Sequence, residues 1–246
     1  MKIAVISDIH GNLPALEAVM EDIKNRNIDK IICLGDIIGK GPSSNEAIDI
    51  CKQECEVVIK GNWDYFVHKS YTDMLQGQVS DVTERNRWYV SGMSPHNLEY
   101  LGALPHSTEF YIGGKLARLF HAHPQNYNRY YQNSPIEQRR ELFGFGDFSL
   151  EKKSADIAIY ADIHSAYLQM LNTGFLINVG SVGNPLEIPE SSYVILSGDE
   201  NSSFGVEFMR VRYDIEKAVA MAIEANVPDL DGYISELKTA KYFRRG

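Results

Sequence analysis

Asp8 and His10 stand directly after an apolar run at residues 3–6, Gly35 and Asp36 after one at 31–34, and Gly61 and Asn62 after one at 57–59. His121 ends a run at 116–120, and Asp162 and His164 follow another at 157–161. Carboxylate, imidazole and amide ligands without thiolate suit Mn, Fe or Zn, and so many imidazoles disfavour Mg alone. Asp8, His10, Asp36, Asn62, His121 and His164 are therefore the candidate metal ligands, with Asp162 at the same edge. Taken singly, each has an ordinary explanation. Asp8 can cap the helix expected near Leu13, Asn62 and Asp64 can cap the one after Gly61, and His10 and His121 can be a loop and a buried histidine. Their shared placement at strand ends singles them out. His123, two residues beyond His121, is either a loop residue or a neighbour of the substrate. His68, His96 and His106 lack the strand-end context and are assigned to structure or surface.

The elements that must position these residues follow from the spacing of apolar side chains. Residues 2–7 form a β-branched run, and Leu13, Leu16, Val19, Met20 and Ile23 then recur at helical spacing. This unit repeats, with strands at 30–34 and 56–59 and helices at 45–51 and 63–70. Such alternation predicts parallel strands with helical crossovers. Their C-terminal ends share one edge, where open α/β sheets bind ligands. Residues 71–105 are mixed in polarity, with Trp88, Tyr89, Leu98 and Leu101 spaced as a helical pair and Pro105 as a stop, so a helical cap insertion is expected there. From residue 107 short strands dominate, beginning with a hairpin across Gly113 and Gly114, and helices are expected at 215–225 and 230–237. The predicted fold is α/β, a sandwich of sheets flanked by helices, in one domain over 1–246.

A chain of 246 residues with 44% hydrophobic residues can bury a full core. No apolar run approaches the roughly 20 residues needed to cross a bilayer, and the first residues lack the pattern of a signal peptide. No membrane partner is expected, and a cytoplasmic location is. Cys33, Cys51 and Cys55 cannot all pair, which fits a reducing compartment. The net charge of −9 disfavours extended nucleic acid, whose binding needs many phosphate neutralisations, but leaves room for a small anion held by metals. An apolar strip around Trp88, Tyr89 and Tyr100 lies either under the cap or against a second subunit, so a homodimer is left open.

Six motifs occur in order: SDIHGN at 7–12, GDIIGKGP at 35–42, GNWD at 61–64, HAHP at 121–124, DIH at 162–164 and NVGSVGNP at 178–185. Together they resemble the calcineurin-like metallophosphoesterase family over about three quarters of the chain. The resemblance implies a four-layer α/β/β/α sandwich of mixed sheets with two divalent metals at the strand ends. It implies that Asp8, His10 and His164 hold one metal, that Asn62 and His121 hold the other, and that Asp36 bridges them. Ser181 and Gly183 then belong to a glycine-rich loop that supports the site. Two positions depart from the family pattern. Asp162 stands where the family commonly has a histidine ligand; it can still bind metal and, as a harder donor, tilts preference toward Mn or Fe. Trp63 stands where a histidine often assists the leaving oxygen.

The resemblance makes the expected activity metal-dependent phosphoryl hydrolysis, in which paired cations acidify a bridging water and clamp the phosphoryl oxygens. Asp36, Asn62, Asp64 and His123 are the expected catalytic group, with His123 a candidate for the proton donor that Trp63 cannot be. Leaving groups already stable as anions need no acid. Phosphodiesters and phosphoanhydrides, including diadenosine tetraphosphate, are accordingly favoured over sugar phosphates. Tyr127, Arg129, Tyr130 and Arg139, with Lys40, are expected to stack a base and bind a distal phosphate. A monoesterase of protein-phosphatase type and a catalytically weak protein-binding scaffold are the alternatives.

Overall fold

In the computed structural model, which describes residues 1–80, 82–199 and 203–243, two five-stranded sheets lie face to face. The first has the order β10-β9-β1-β2-β3 and the second β4-β5-β6-β8-β7. The strands are β1 (Lys2–Ile6), β2 (Lys30–Cys33), β3 (Val57–Val58), β4 (Ser107–Ile112), β5 (Lys115–Phe120), β6 (Ile157–Tyr160), β7 (Tyr167–Leu171), β8 (Gly174–Asn178), β9 (Ser191–Gly198) and β10 (Phe204–Val211). In the first sheet β1, β2 and β3 run parallel, with β9 and β10 added antiparallel. In the second, β5, β6 and β8 are parallel, and β4 and β7 form antiparallel edges.

The alternation of side chains along each strand divides the apolar residues between layers. Ile3 and Val5 face the second sheet and join Leu119, Ile159 and Ile177 in the central core. Ala4 and Ile6 face outward, where they meet α1 (Leu13–Lys24) and α2 (Ser44–Glu54) through Leu16, Val19, Ile48 and Cys51. Burial on both faces explains why the inner strands read as continuous apolar runs. Asn12 caps α1 by accepting the Ala15 amide at 3.3 Å, with Pro14 in the first turn.

Helix α3 (Asn62–Leu75) is longer than the predicted 63–70, and α4 (Glu84–Gly92) and α5 (Pro95–Ala103) pack against it. These two helices occupy the stretch read as a cap. Their Tyr89, Val90, Leu98 and Leu101 belong to the same apolar cluster as α1 and α2. The outer layer on the second sheet is thinner, comprising the short α6 (Ile136–Glu141) and a following loop whose Leu142 and Phe143 cover Phe120, Tyr160 and Leu176. Arg118 fastens that loop: fully buried, it pairs with Glu109 at 2.6 Å and donates to the carbonyls of Phe143, Gly144, Glu151 and Lys153. At the C-terminus α7 (Ile215–Ala225) packs on α1, and α8 (Leu230–Thr239) packs on α7. Among the described residues no helix is long and apolar enough to cross a membrane.

Candidate metal centre

The C-terminal ends of β1, β2, β5 and β6 meet at one edge of the sandwich, and the candidate ligands leave from there. Asp8, His10, Asp36, Asp162 and His164 all adopt left-handed backbone, with φ of 51°, 51°, 50°, 65° and 57°. Non-glycine residues seldom do so, although Asp and His tolerate it best, and such strain persists only where the surroundings enforce it. The surroundings here are backbone hydrogen bonds between loops. Asp8 N–H donates to the Gly35 carbonyl and His10 N–H to that of Asp36, at 3.0 and 2.9 Å. The 181–184 loop closes on Asp8 from the other side: Gly183 N–H and the Ser181 hydroxyl both donate to its carbonyl, at 2.9 and 2.8 Å. Gly61 has no side chain because a Cβ there would come within 2.1 Å of Asp36 Oδ1.

Three histidines are fixed in one tautomer by carbonyls. His10 Nδ1 lies 3.2 Å from the Ile38 oxygen, His121 Nδ1 2.8 Å from that of Leu34, and His164 Nδ1 2.5 Å from that of Asn184. A carbonyl only accepts, so each Nδ1 carries a proton and each Nε2 is the nitrogen turned inward. Asp36 Oδ2 lies 3.7 Å from His10 Nε2 and 3.4 Å from His121 Nε2, and Asp8 Oδ1 lies 3.3 Å from His164 Nε2. Asp8, His10 and His164 form one group of ligand atoms within 4.8 Å of one another, and Asp8, Asp36 and His121 form a second.

The donor set fits cations. His10 Nε2 and His164 Nε2 face each other at 3.2 Å, an arrangement of lone pairs that needs a positive charge nearby. Asp8 Oδ1 and His121 Nε2 are buried with no hydrogen-bond partner, a condition native proteins otherwise avoid. Burial works against the Asp8 carboxylate, but His164, His121 and His10 outweigh it and hold the group below the ordinary carboxylate range. Burial also opposes charge on His121, yet Asp36, Asp8 and Asp162 raise its pKa well above the usual value, so the local field attracts a cation. Burial and His164 keep His10 neutral.

The other predicted site residues are placed differently. Asp162 accepts both Nε and Nη2 of Arg129, at 2.5 and 2.8 Å, and the Asn62 amide nitrogen at 2.6 Å. The Asn62 amide oxygen is left as its free ligand atom. Asp64 sits beneath the loop, accepting the amides of Asp36, Ile37 and Gly61 at 2.8, 3.1 and 2.9 Å. It therefore positions Asp36 from behind; burial and Asp36 push its pKa up to about 7. His123 accepts the Gln125 amide at Nδ1 and stands edge-on to Tyr130. Lys40 bonds Glu236 at 2.6 Å.

A cavity of about 760 Å³ opens onto the cluster, lined by Asp36, Asp162 and His164 together with Lys40, Trp63, Arg129, Tyr131, Tyr242 and Phe243. Tyr127, Tyr130, Arg139 and His123 are not among its lining residues. Tyr127 instead meets Tyr65 and His106 in an aromatic cluster, Tyr130 bonds Glu141, and Arg139 bonds Gln169 and the Ser134 carbonyl. The Asp162–Arg129 pairing and the walls formed by Tyr131, Tyr242 and Phe243 were not foreseen. Arg129 was expected only as a phosphate contact, and no local pattern marks the tail.

Left-handed aspartates and histidines at the strand ends of a double-sheet sandwich gather into two groups that could each hold a metal ion. Residues 1–201 match the model of the calcineurin-like phosphoesterase superfamily domain, and the chain belongs to that superfamily. This makes the protein a metal-dependent phosphoesterase acting on a small phosphorylated substrate. It is 34% identical over 237 residues to the protein MJ0912 of Methanocaldococcus jannaschii, covering 92% of this chain and 94% of that one. A metallophosphoesterase from Sphaerobacter thermophilus superposes with a TM-score of 0.75 at 24% identity, covering 98% of this chain and 100% of that one. The hypothetical protein PH1004 from Pyrococcus horikoshii OT3 superposes with 0.76 at 21% identity, covering 98% and 99%.

Proposed function

We propose that the protein hydrolyses phosphodiester or phosphoanhydride bonds in a nucleotide-type substrate such as diadenosine tetraphosphate. Two divalent ions, Mn or Fe, would be held by Asp8, His10, Asp36, Asn62, His121 and His164. The observation that carries this reading is the placement of Trp63 on the wall of the ligand cavity. Its backbone N–H holds Asp36 Oδ1 at 2.8 Å, and its ring stands edge-on to His10 at 5.7 Å between centroids. The indole N–H is a hydrogen-bond donor but far too weak an acid to transfer its proton to a departing alkoxide. Leaving groups that are stable as anions, such as phosphates, do not require one.

When bound, the ions supply Lewis acidity toward the phosphoryl oxygens and the attacking water. The chain supplies orientation. Arg129, gripped by Asp162 through two nitrogens, keeps a side chain 43% exposed beside the ligands, where it can donate to a phosphoryl oxygen in a fixed geometry. Asp162 also points the Asn62 amide, so one carboxylate orients both a metal ligand and a phosphate-binding cation.

The test is phosphate release from dinucleoside polyphosphates, cyclic nucleotides, mononucleotides and an aryl phosphodiester, with Mn added and Asp36→Asn as control. Turnover of a dinucleoside polyphosphate, abolished in the variant, is the expected result. Preference for simple monoesters would refute the leaving-group argument while leaving the enzyme class intact.

A further inference from the structure

Asp162 can serve a metal or an arginine, and its contacts decide between the two. Its Oδ1 lies 3.7 Å from His121 Nε2. With metal–ligand distances of about 2.1 Å, the two atoms are close enough to share one ion. That oxygen is already engaged. It accepts Arg129 Nη2 at 2.8 Å and the Asn62 amide nitrogen at 2.6 Å, while Oδ2 accepts Arg129 Nε at 2.5 Å. A carboxylate offers about four acceptor positions, so protein donors fill most of them. The pairing is of the strong kind, a guanidinium bound through two N–H groups, on a carboxylate whose side chain is 1% exposed. Neither close group of ligand atoms includes Asp162.

The other half of the site has no such competitor. There Asp8 Oδ1 meets His164 Nε2 at 3.3 Å, and among the described residues no arginine or lysine is bonded to either. Lys40, whose charge reaches His10, is bonded instead to Glu236, which belongs to neither ligand group. The two halves therefore differ in what an ion must displace. Beside His10 and His164 the ligands are free of protein cations. Beside His121 an ion gains Asp36 and the Asn62 oxygen but meets a guanidinium on the one further carboxylate within reach.

Arg129 comes from the segment between β5 and α6, which is neither helix nor strand over 122–135. Its side chain can therefore be changed without breaking a regular element. It also lines the ligand cavity, so a cation that would otherwise be costly beside a metal site is placed where a phosphate can meet it.

We infer that Arg129 withdraws Asp162 from the metal ligands and so makes the ion site beside His121 the weaker of the two, which then fill in sequence as metal concentration rises. The inference rests on the two-ion reading above. Asp162 is a positioning residue for Arg129 and Asn62, and the chain holds a phosphate-binding cation where a further ligand could stand.

Calorimetric titration of metal-free, full-length protein with Mn tests this without reference to turnover. Wild type should bind two ions, the second at least tenfold more weakly than the first. Arg129→Ala, and Arg129→Gln as a polar alternative, should tighten the second ion about 10–100-fold, the scale on which groups around a metal site act, and leave the first unchanged. The gain should vanish in Arg129→Ala/Asp162→Asn, because it depends on the carboxylate set free. In kinetics on an aryl phosphodiester, Arg129→Ala should lower the Mn concentration for half-maximal rate while raising KM, two changes that simple loosening of the loop would not produce together. Two ions of equal affinity in wild type, or no tightening in either Arg129 variant, overturns the inference and leaves the two-ion reading standing. Tightening that persists in the double variant also overturns it, since removal of charge alone would then account for the gain. A single ion in every variant refutes the two-ion reading and this inference with it.

Discussion

Ser181 shows how a residue remote from the chemistry can govern it. Its hydroxyl donates to the Asp8 carbonyl and accepts the Asn184 amide at 2.9 Å, and the Asn184 carbonyl in turn holds His164. Ser181→Ala leaves the Asn184 amide unpaired in a buried place and the Asp8 carbonyl with the Gly183 amide alone. It should destabilise the metal-free protein by about 1–3 kcal/mol in denaturant unfolding. It should also weaken metal binding by about 10–100-fold in competition with a chromophoric chelator. Unchanged affinity would mean that Asp8 keeps its left-handed backbone without this support. Trp63 carries the opposite kind of prediction, a gain. Trp63→His introduces a transferable proton beside the ligands, so kcat/KM for an alkyl phosphodiester should rise on the order of 10²-fold relative to an aryl one. No change in that ratio would place the leaving oxygen elsewhere. The candidate ligands were legible in the sequence because carboxylates and imidazoles at strand ends are conspicuous. Their second partners were not, because Leu34, Ile38 and Asn184 act through backbone oxygens, which every residue has. Asp64 is instructive: the Gly61 amide it accepts is the helix cap weighed at the outset, but the other two amides, of Asp36 and Ile37, belong to the loop after β2.

At the scale of elements, periodicity located β1, α1, β2 and α2 closely, since each alternates or repeats over enough residues to declare its type. Helix α6, six residues with no buried side chain, gave no such signal. It belongs to the layer whose loop is held by Arg118 rather than by an apolar stripe. Replacing Arg118 with alanine leaves the Glu109 carboxylate, its side chain 3% exposed, with the Glu151 amide but no cation, and frees four carbonyls. The expected cost is about 3–5 kcal/mol in chemical denaturation, with the proteolytic susceptibility of residues 142–155 rising before the rest of the chain unfolds. A loss under about 1 kcal/mol would show that Leu142 and Phe143 hold the loop unaided. The contrast with α4 and α5 is one of burial. Tyr89, Leu98 and Leu101 are almost wholly enclosed, and their helical spacing was readable for that reason.

For the whole molecule, the site is assembled from both sheets: Asp8, His10, Asp36 and Asn62 come from the first, and His121, Asp162 and His164 from the second. Contacts already cross between them, among them His121 to the Leu34 carbonyl, the Asn62 amide nitrogen to Asp162 at 2.6 Å and the Asp162 amide to Asp8 Oδ2 at 3.2 Å. Ions that bind only the folded arrangement stabilise it by about 2.7 kcal/mol at a hundredfold excess over Kd. Stripping them with a chelator should therefore lower Tm by about 5–10 °C for a chain of this size, and scanning calorimetry would detect an unchanged Tm as readily. Mechanically, an ion at this position is a rivet driven through two plates at one end. The far ends of the strands are joined by apolar contact and by the Gly113 amide, which donates to the Asp199 carbonyl at 2.7 Å, a junction that can serve as a hinge. Removal of the rivet should let the plates shear about their distant ends. Amide hydrogen exchange would then quicken first at residues 5–8, 33–36 and 119–122 and last at residues 2–3, 30–31 and 115–116.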